Sequence, residues 1–317
     1  MSQTQPMPST GFASAEPALK ERADPALAGR ILVVVVLYNK RFDEIPCAAK
    51  IQGWLDAPVG QGVGLHLAHC LVYDNSPTPS QPGRMAHARM SGLHDPGNGG
   101  TRAAYLAAAD MARLHQCPWI LLLDHDTDLP ADFLTAAEQA LVRAEAGQTV
   151  AAVVPQVFDG GIQVSPSWIT TYGRVLQLSD RGEGGHRRGK GFTAIASAAM
   201  VQTHCLSALL PIPEVFKLDY LDHWLFREIQ RRGGVVVMST AKIDHSLSVF
   251  SMQSMGLERY RSILAAERLF LRGDHSYSRV KHALWHVVRT VKLALVTRRV
   301  PLLGVCVRAA KNIIRGP

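Results

Sequence analysis

Short apolar runs alternate along the chain with longer segments whose apolar residues recur at helical spacing. The first run, Ile31–Leu37, contains no polar residue, which is typical of a strand buried on both faces of a parallel sheet. Further strands are predicted at His66–Tyr73, Trp119–Leu123, Val150–Val154 and Val235–Met238. All are far shorter than the roughly 20 residues that a membrane span requires.

Helices are predicted around Phe42–Trp54, and at Thr101–His115, Pro130–Ala146 and Glu214–Arg232. The segment 76–92 is rich in Pro, Ser and Gly, which predicts a loop, and Gly160–Gly191 predicts strands joined by loops. The alternation of strands and helices indicates a doubly wound, mostly parallel α/β sheet flanked by helices.

Polar residues follow three predicted strands directly, at Tyr38-Asn39, Asp74-Asn75 and Asp124-His125-Asp126. In open α/β sheets, ligands bind at the carboxyl ends of the strands, so we expect these residues to converge. Side chains two residues apart in an extended segment point the same way. Asp124 and Asp126 could therefore share a hard cation such as Mg²⁺ or Mn²⁺; the alternative is an ordinary Asp-rich turn.

With 317 residues, 47% of them hydrophobic, the chain can bury a large core. Its formal charge is +8, with basic residues concentrated after Arg259. A basic balance suits nucleic acid, an anionic membrane or a phosphorylated substrate, but no zinc-finger spacing or RNA-binding aromatic signature is present, so no nucleic acid partner is expected. The five scattered cysteines indicate free thiols in a reducing compartment, and we expect a cytoplasmic protein.

Three regions are expected along the chain: a disordered tail at 1–29 that is not a signal peptide, an α/β domain at 30–255, and a basic helical region at 256–317. The C-terminal region could dock on the inner face of an anionic membrane or pack as a lid.

Five motifs in order resemble the family 2 glycosyltransferases, inverting enzymes of the GT-A fold, and especially their rhamnosyltransferase-like branch. They are VVVVLYNK at 33–40, VYDNSP at 72–77, NGGTRAAYLAA at 98–108, LLLDHDTDLPADFL at 121–134, and KLDYLDHWLFREIQRRGG at 217–234 with IDHSLS at 243–248. The resemblance covers roughly residues 31–272 and implies a GT-A catalytic domain at 30–255, with a nucleotide-binding half at 30–128 and an acceptor half at 129–255. It also implies transfer of a sugar from a nucleoside diphosphate sugar to a hydroxyl acceptor.

The resemblance implies a set of residues that contact the nucleotide sugar: Tyr38, Asn39, Asp74, Asn98, Gly99, Gly100, Arg102 and Asp124. Asp74 would accept hydrogen bonds from the base or ribose. The Asn-Gly-Gly segment precedes a helix N-terminus, where backbone N–H groups favour phosphate. The alternatives are a turn aspartate, a core aromatic at Tyr38 and an ordinary helix cap.

The resemblance also implies a metal bound by Asp126, with support from Asp124 and completed by His245. Mg²⁺ or Mn²⁺ would stabilise the departing diphosphate. An acidic residue at the start of the helix near 221 would remove the proton of the acceptor hydroxyl. We favour Asp222 over Asp219, although the acid that the family commonly carries near position 224 is absent. The alternative is an acid in the first turn of a helix, with no chemistry.

The resemblance implies an inverting transferase of bacterial surface polysaccharide or lipopolysaccharide synthesis, with dTDP-rhamnose as the family-level donor. Two rival hypotheses are a sugar nucleotidyltransferase and a catalytically degenerate domain that binds membrane or glycan as a scaffold. The nucleotidyltransferase is disfavoured because its glycine-rich loop would directly follow the first strand, near residue 40, whereas Gly99-Gly100-Thr101-Arg102 lies much later in this chain.

Overall fold

The computed structural model describes residues 28–57, 64–80, 87–144, 148–177, 186–187, 191–244, 256–298 and 301–315. The strands of the central sheet are β1 Arg30–Leu37, β2 His66–Asp74, β3 Met90–His94, β4 Trp119–Asp124, β5 Val150–Asp159, β6 Ile162–Ser165, β9 His186–Arg187, β11 Ala199–Gln202 and β12 Val235–Asp244. A smaller sheet contains β7 Ser167–Ile169, β8 Val175–Gln177 and β10 Phe192–Thr193. The helices are α1 Ala48–Asp56, α2 Gly100–Leu114, α3 Phe133–Val142, α4 Thr203–Ala208, α5 Leu221–Arg231, α6 Leu257–Arg272, α7 Arg279–Thr297 and α8 Pro301–Arg315.

The central sheet has the order β3-β2-β1-β4-β11-β5-β12-β9, and β6 pairs with β5. β3, β2, β1 and β4 run parallel to one another, and β5 runs parallel to β12. Strand β11 joins these two parallel blocks and is antiparallel to both of its neighbours. The predicted mostly parallel α/β sheet flanked by helices is therefore confirmed.

Strand β1 shows why the first apolar run contains no polar residue. Leu32, Val34 and Val36 pack into a core on one face of the sheet, which α2, α5 and α6 cover. Ile31, Val33, Val35 and Leu37 pack on the opposite face, which α1 and α3 cover. Because a strand presents alternate residues to opposite faces, both sets must be apolar.

The boundaries differ from the predictions at several elements. β3 lies in the segment 76–92 and just beyond it, where we predicted a loop, because only Met90 in this strand is buried and the apolar signal is weak. α1 begins at Ala48, after a 3-10 turn at Phe42–Glu44, rather than near Phe42. Residues 1–27 of the predicted disordered tail lie outside the described residues.

The C-terminal helices pack on the α/β domain through α6, whose Ala266, Phe270 and Leu271 belong to the core on one face of the sheet. Glu267 of α6 is fully buried and receives both guanidinium nitrogens of Arg289 of α7, at 3.1 and 2.5 Å. Within the described ranges, none of the helices combines the length and apolar character needed to cross a bilayer.

Candidate active site

The carboxyl ends of β1, β2 and β4 lie side by side. Leu37 pairs with Asp74 of β2, and Val36 pairs with Asp124 of β4. Because these strands are parallel, the polar residues that follow them reach the same edge of the sheet. The expected convergence of the strand ends follows directly from this register.

Asp74 is buried and holds its own loop together. One of its carboxylate oxygens accepts the N–H of Ser76 at 2.9 Å, and the other accepts the N–H and hydroxyl of Ser80, both at 2.7 Å. Burial acts to raise the pKa of Asp74, but these hydrogen bonds outweigh it and the pKa lies below its usual value. The carboxylate is therefore ionised and shapes the loop beside the strand ends.

Tyr38 and Asn39 lie at the same edge. Tyr38 is 44% exposed, so the alternative of an aromatic residue packed in the core is wrong. Asn39 adopts a positive φ of 52°, and its N–H donates to the Ser76 hydroxyl at 2.8 Å. The exposed ring of Tyr38 is thus available to a flat ligand such as a nucleotide base.

The glycine loop before α2, which we expected to bind phosphate, forms hydrogen bonds within the protein. The N–H of Gly99 donates to Asp95 at 2.8 Å, and the N–H of Gly100 donates to the side chain of Asn75 at 3.2 Å. The N–H of Arg102 donates to the carbonyl of Lys217 at 3.1 Å, and its guanidinium donates to the carbonyl of Ile212 at 2.7 Å. These donors, predicted to hold phosphate, instead bind protein groups, so the geometry does not support a phosphate cradle here.

Asn98 and Gly100 show why this loop needs its residue types. Both adopt positive φ, at 47° and 73° respectively, which glycine and asparagine tolerate best. A Cβ at Gly100 would lie 2.6 Å from the carbonyl oxygen of Lys217. The loop therefore clamps the start of α2 to the segment that leads into α5.

Sequence reasoning missed Asp95, which follows β3. Its carboxylate accepts the hydroxyl of Tyr73 at 2.9 Å and the N–H groups of Gly97 and Gly99 at 3.0 and 2.8 Å. The hydrogen bond from Gly99, with smaller contributions from Tyr73 and Gly97, lowers the pKa of Asp95 against the effect of burial. An Asp-Pro-Gly sequence directly before Asn98 was the available signal, but β3 itself was not recognised.

Asp124 ends β4, whereas His125 and Asp126 lie in a turn that the N–H of Thr127 closes onto the carbonyl of Asp124 at 3.2 Å. We expected the side chains of Asp124 and Asp126 to point the same way because we assumed an extended backbone through Asp126. The turn at His125 and Asp126 means that this assumption does not hold. Both carboxylates remain partly exposed at the edge where the strand ends meet.

Asp222, in the first turn of α5, is the most perturbed carboxyl group at this edge. Burial raises its pKa to about 7; the N–H of Ala196 donates a hydrogen bond to the carboxylate and opposes the shift, whereas the charges of Asp124 and Asp219 add to it. Part of the side chain remains accessible to solvent. Such a carboxyl group can exchange a proton near neutral pH.

Tyr105 of α2 lies within the electrostatic influence of both carboxyl groups. The ring is buried, and the charges of Asp222 and Asp124 both raise the pKa of its hydroxyl, in addition to the larger effect of burial. The end of β4 and the start of α5 therefore lie close together. The structure brings Asp124 and Asp222 into one cluster, although they are distant in sequence.

Asp219, the second candidate for the base, and position 224, where the family commonly carries an acid, have other contacts. Asp219 lies 3.6 Å from the guanidinium of Arg259 of α6, which opposes the rise in pKa that burial causes. Trp224 is buried and packs on Phe216 with a ring separation of 5.8 Å. Position 224 therefore faces the core, and an acid there would not reach the strand edge in this structure.

A cavity of about 930 Å³ lies on another side of α5. His223, Arg227 and Gln230 of α5 line it, together with Phe192 and Phe270. None of the strand-end residues lines this cavity, but His223 is adjacent in sequence to Asp222. The ring of His223 is hydrogen-bonded to the hydroxyl of Thr193 at 2.7 Å, and burial lowers its pKa to about 4.

Within the part of the chain that the structure describes, no group of three or more His, Cys, Asp and Glu side chains could hold a metal ion. His245, the third predicted ligand, lies outside the described residues. Asp124 and Asp126 are oxygen donors of the kind that hard cations prefer, and such ions often complete their coordination with substrate phosphates and water. The donor set thus suits a cation shared with a ligand.

No protein-family model matches the sequence, and comparison with curated proteins gives no match either. Among solved structures, GalNAc-T7 with UDP, GalNAc and Mn²⁺ is similar, with a TM-score of 0.52 and 10% identity over 69% of this chain and 44% of that chain. S. aureus TarS 1–349 in complex with UDP-GlcNAc gives a TM-score of 0.49 and 11% identity over 80% of this chain and 70% of that one.

The likeness to GalNAc-T7 and the sheet described above define the class: the chain has the GT-A fold of glycosyltransferases. This confirms the fold that the motifs implied. The chain spans less than half the length of GalNAc-T7.

Proposed function

We propose that this protein transfers a sugar from a nucleoside diphosphate sugar to a hydroxyl group of an acceptor, with inversion at the anomeric carbon. One observation carries the proposal: the carboxyl group of Asp222, whose pKa burial raises to about 7, interacts electrostatically with Asp124, which ends β4 at the edge where the strand ends meet. The GT-A fold supports it, and the similar GalNAc-T7 is solved with UDP, GalNAc and Mn²⁺.

In the proposed reaction, the Asp222 carboxylate takes the proton of the acceptor hydroxyl as the oxygen bonds to the anomeric carbon. The bond from that carbon to the diphosphate oxygen breaks on the opposite face, and the nucleoside diphosphate carries away the electron pair. The N–H of Ala196 orients the Asp222 carboxylate. Asp219 is a weaker candidate for the base because Arg259 pairs with it.

Asp124 and Asp126, with His245 as a third ligand, would hold Mg²⁺ or Mn²⁺, and the cation supplies positive charge against the leaving diphosphate. Tyr38 offers an exposed ring to the base, and Asn39 and Asp74 border the same position. The donor sugar and nucleotide follow from the resemblance alone, so dTDP-rhamnose is the first to test. A bacterial surface glycan is the proposed acceptor.

Release of nucleoside diphosphate from sugar nucleotides tests the proposal. A general base is typically worth about 10²–10⁴-fold in rate, so we expect Asp222→Asn to lower kcat by about that factor while donor binding persists. Asp132→Asn, which alters an exposed carboxylate at the start of α3, is the matched control. Turnover near the wild-type level in Asp222→Asn would exclude Asp222 as the base.

The same assay separates the rival functions. A nucleotidyltransferase would release pyrophosphate, but the donors of its phosphate loop bind protein groups here. A scaffold without catalysis would hydrolyse no sugar nucleotide at any pH. The raised pKa of Asp222 favours the enzyme, because a merely structural acid in a first helical turn would be stabilised in its ionised form.

A further inference from the structure

Helix α7 has two faces of different character. Its inner face is buried against the protein through His282, Ala283, His286, Thr290 and Ala294. Its outer face exposes six apolar residues: Val280, Leu284, Val287, Val288, Val291 and Leu295. At about 100° per residue, these six positions fall within one arc of about 100°. They form a continuous apolar stripe along the helix.

Helix α8 repeats this arrangement. Leu302, Val305, Cys306 and Ile313 are buried, whereas Leu303, Val307 and Ile314 are exposed. Single exposed apolar residues are common on protein surfaces, but apolar stripes on two adjacent helices usually mark an interaction site. The exposed apolar residues of α7 and α8, with the Lys and Arg beside them, are called the C-terminal face below.

The charge of this region is unusual for the chain. Of the 34 Lys and Arg residues, nine lie after Asp274, and all 26 Asp and Glu residues lie at or before it. The rest of the chain therefore has one more acid than base, and the whole positive excess belongs to the last helices. Lys281 and Lys292 of α7 and Arg308 and Lys311 of α8 are all exposed.

We propose that the C-terminal face docks the protein on an anionic lipid bilayer, with α7 and α8 lying in the plane of the interface. Apolar stripes flanked by Lys and Arg bind such surfaces because the apolar side chains enter the interface while the cations remain among the anionic headgroups. A second copy of the chain fits less well, because pairing would bring two uncompensated basic segments together. The inner faces of α7 and α8 are buried against the protein, so the C-terminal face is already formed before it meets a membrane.

This inference does not depend on sugar transfer. Membrane docking and packing as a lid, the two hypotheses for the C-terminal region, are compatible with each other. The inner face of α7 packs on α6 through the Glu267–Arg289 pair, as the lid hypothesis required. The outer face is left for the lipid, so packing and membrane docking occur on opposite faces of one helix.

Flotation of the full-length protein tests the proposal. We expect it to float with vesicles of phosphatidylcholine containing roughly one third phosphatidylglycerol, and to bind vesicles of pure phosphatidylcholine at least about tenfold less. Added NaCl should reduce the binding, because salt screens exposed charges.

Two double variants separate the apolar and charged contributions. Leu284→Gln with Leu295→Gln should lower the bound fraction by about tenfold or more at any salt concentration. Lys281→Gln with Lys292→Gln should lower it mainly at low salt. The matched controls are Leu114→Gln with Val142→Gln and Arg113→Gln with Arg143→Gln. They make comparable changes at exposed positions in α2, in α3 or directly after α3, and should bind as wild type does.

Wild-type protein that fails to float, or that binds both vesicle types equally, would overturn the proposal. So would unchanged binding of the Leu284/Leu295 double variant with a normal circular dichroism melt. A dimer that this variant loses, without any flotation of the wild type, would assign the C-terminal face to a second copy instead. Asp222→Asn should float like wild type, which separates this result from failure of the proposed catalysis.

Discussion

The carboxyl group of Asp222 experiences opposing influences from its surroundings. Burial raises its pKa to about 7, and Asp124 and Asp219 repel its negative charge, whereas one backbone N–H stabilises that charge. A base for a hydroxyl group works best when its pKa lies near the working pH. The same features that suit Asp222 to the proposed role of base therefore destabilise the fold whenever its carboxyl group is ionised.

Stability should depend on the protonation of Asp222. The folded state holds the proton up to a pH of about 7, whereas an unperturbed aspartic acid releases it near 3.8. Stability is thus lost as the pH rises through 7, by up to about 4 kcal/mol. Asp222→Asn cannot ionise, so at pH 8 it should melt several degrees above wild type, and at pH 4 the two should agree.

Calorimetry at both pH values checks this, with Asp132→Asn as the exposed control. A melting temperature of Asp222→Asn at or below the wild-type value at pH 8 would show that the carboxyl group is not buried as described.

The influence of Asp124 on Asp222 gives a second prediction at this scale. Asp124→Asn removes a negative charge and nearly preserves the side-chain shape, so the pKa of Asp222 should fall below 7. The acidic limb of the pH–rate profile should move to lower pH, and a carboxyl ¹³C NMR titration should report the same shift without any activity. An unmoved profile and titration would show that the two carboxylates do not interact.

At the scale of elements, the junction of α6 and α7 depends on Glu267. The carboxylate is fully buried; burial alone would raise its pKa, but Arg289 and His282 lower it to about 2. The loop before β8 also packs on this residue, because a Cβ at Gly173 would lie 2.5 Å from its oxygen. One carboxylate therefore connects two helices and a loop.

Glu267→Gln should destabilise the protein strongly. It would leave the partly buried Arg289 guanidinium without its charge partner, and breaking a buried pair on one side typically costs about 3–5 kcal/mol. For a domain of this size, the melting temperature should fall on the order of 10 °C. Glu258→Gln on the same helix changes an exposed carboxylate paired with Arg261 and should shift it by no more than about 2 °C. Equal melting temperatures of the two variants would show that the Glu267–Arg289 pair does not stabilise the junction of α6 and α7.

The stabilisation by the Glu267–Arg289 pair also depends on pH. Because the pKa of Glu267 is lowered in the folded state, its stabilisation is present above its ordinary value of 4.5 and is lost as the pH falls towards 2. Asp222 acts in the opposite direction, so the two carboxyl groups favour maximal stability between these limits.

At the scale of the whole molecule, the site forms only when β4, the loop before β11 and the start of α5 meet. A ligand bound at that junction would stabilise the entire domain, since binding to the native state alone raises the free energy of unfolding. At a concentration of 100 times Kd this amounts to about 2.7 kcal/mol.

We therefore expect UDP, GDP or dTDP to raise the melting temperature by several degrees in the presence of Mn²⁺ or Mg²⁺, and much less in chelator. Asp126→Ala should lose the metal-dependent part, whereas Asp128→Ala, at an exposed carboxylate two residues later, should keep it. A nucleotide response identical with and without metal would refute the role of Asp126.

Local pattern explains how much of this fold was predictable. Valine-rich runs and helical periodicity predicted most strands and helices, because both faces of the sheet are covered and each buried strand must be apolar throughout. β3 was missed because a strand at the edge of a sheet buries few residues, so its composition resembles that of a loop. The internal contacts of the Asn-Gly-Gly segment could not be predicted, because composition does not reveal the tight packing of Gly100 against Lys217.

The sequence by itself determined the alternation of the sheet, the positions of the polar strand ends and the basic, acid-free C-terminus, since these depend on the order of residues along the chain. Only the tertiary structure decided that Asp222 interacts electrostatically with Asp124 whereas position 224 is buried in the core, and that Arg259 pairs with Asp219. It also decided that the apolar residues of α7 divide into a buried and an exposed face. The reason is physical: burial, pKa and pairing are properties of surroundings that distant segments supply together.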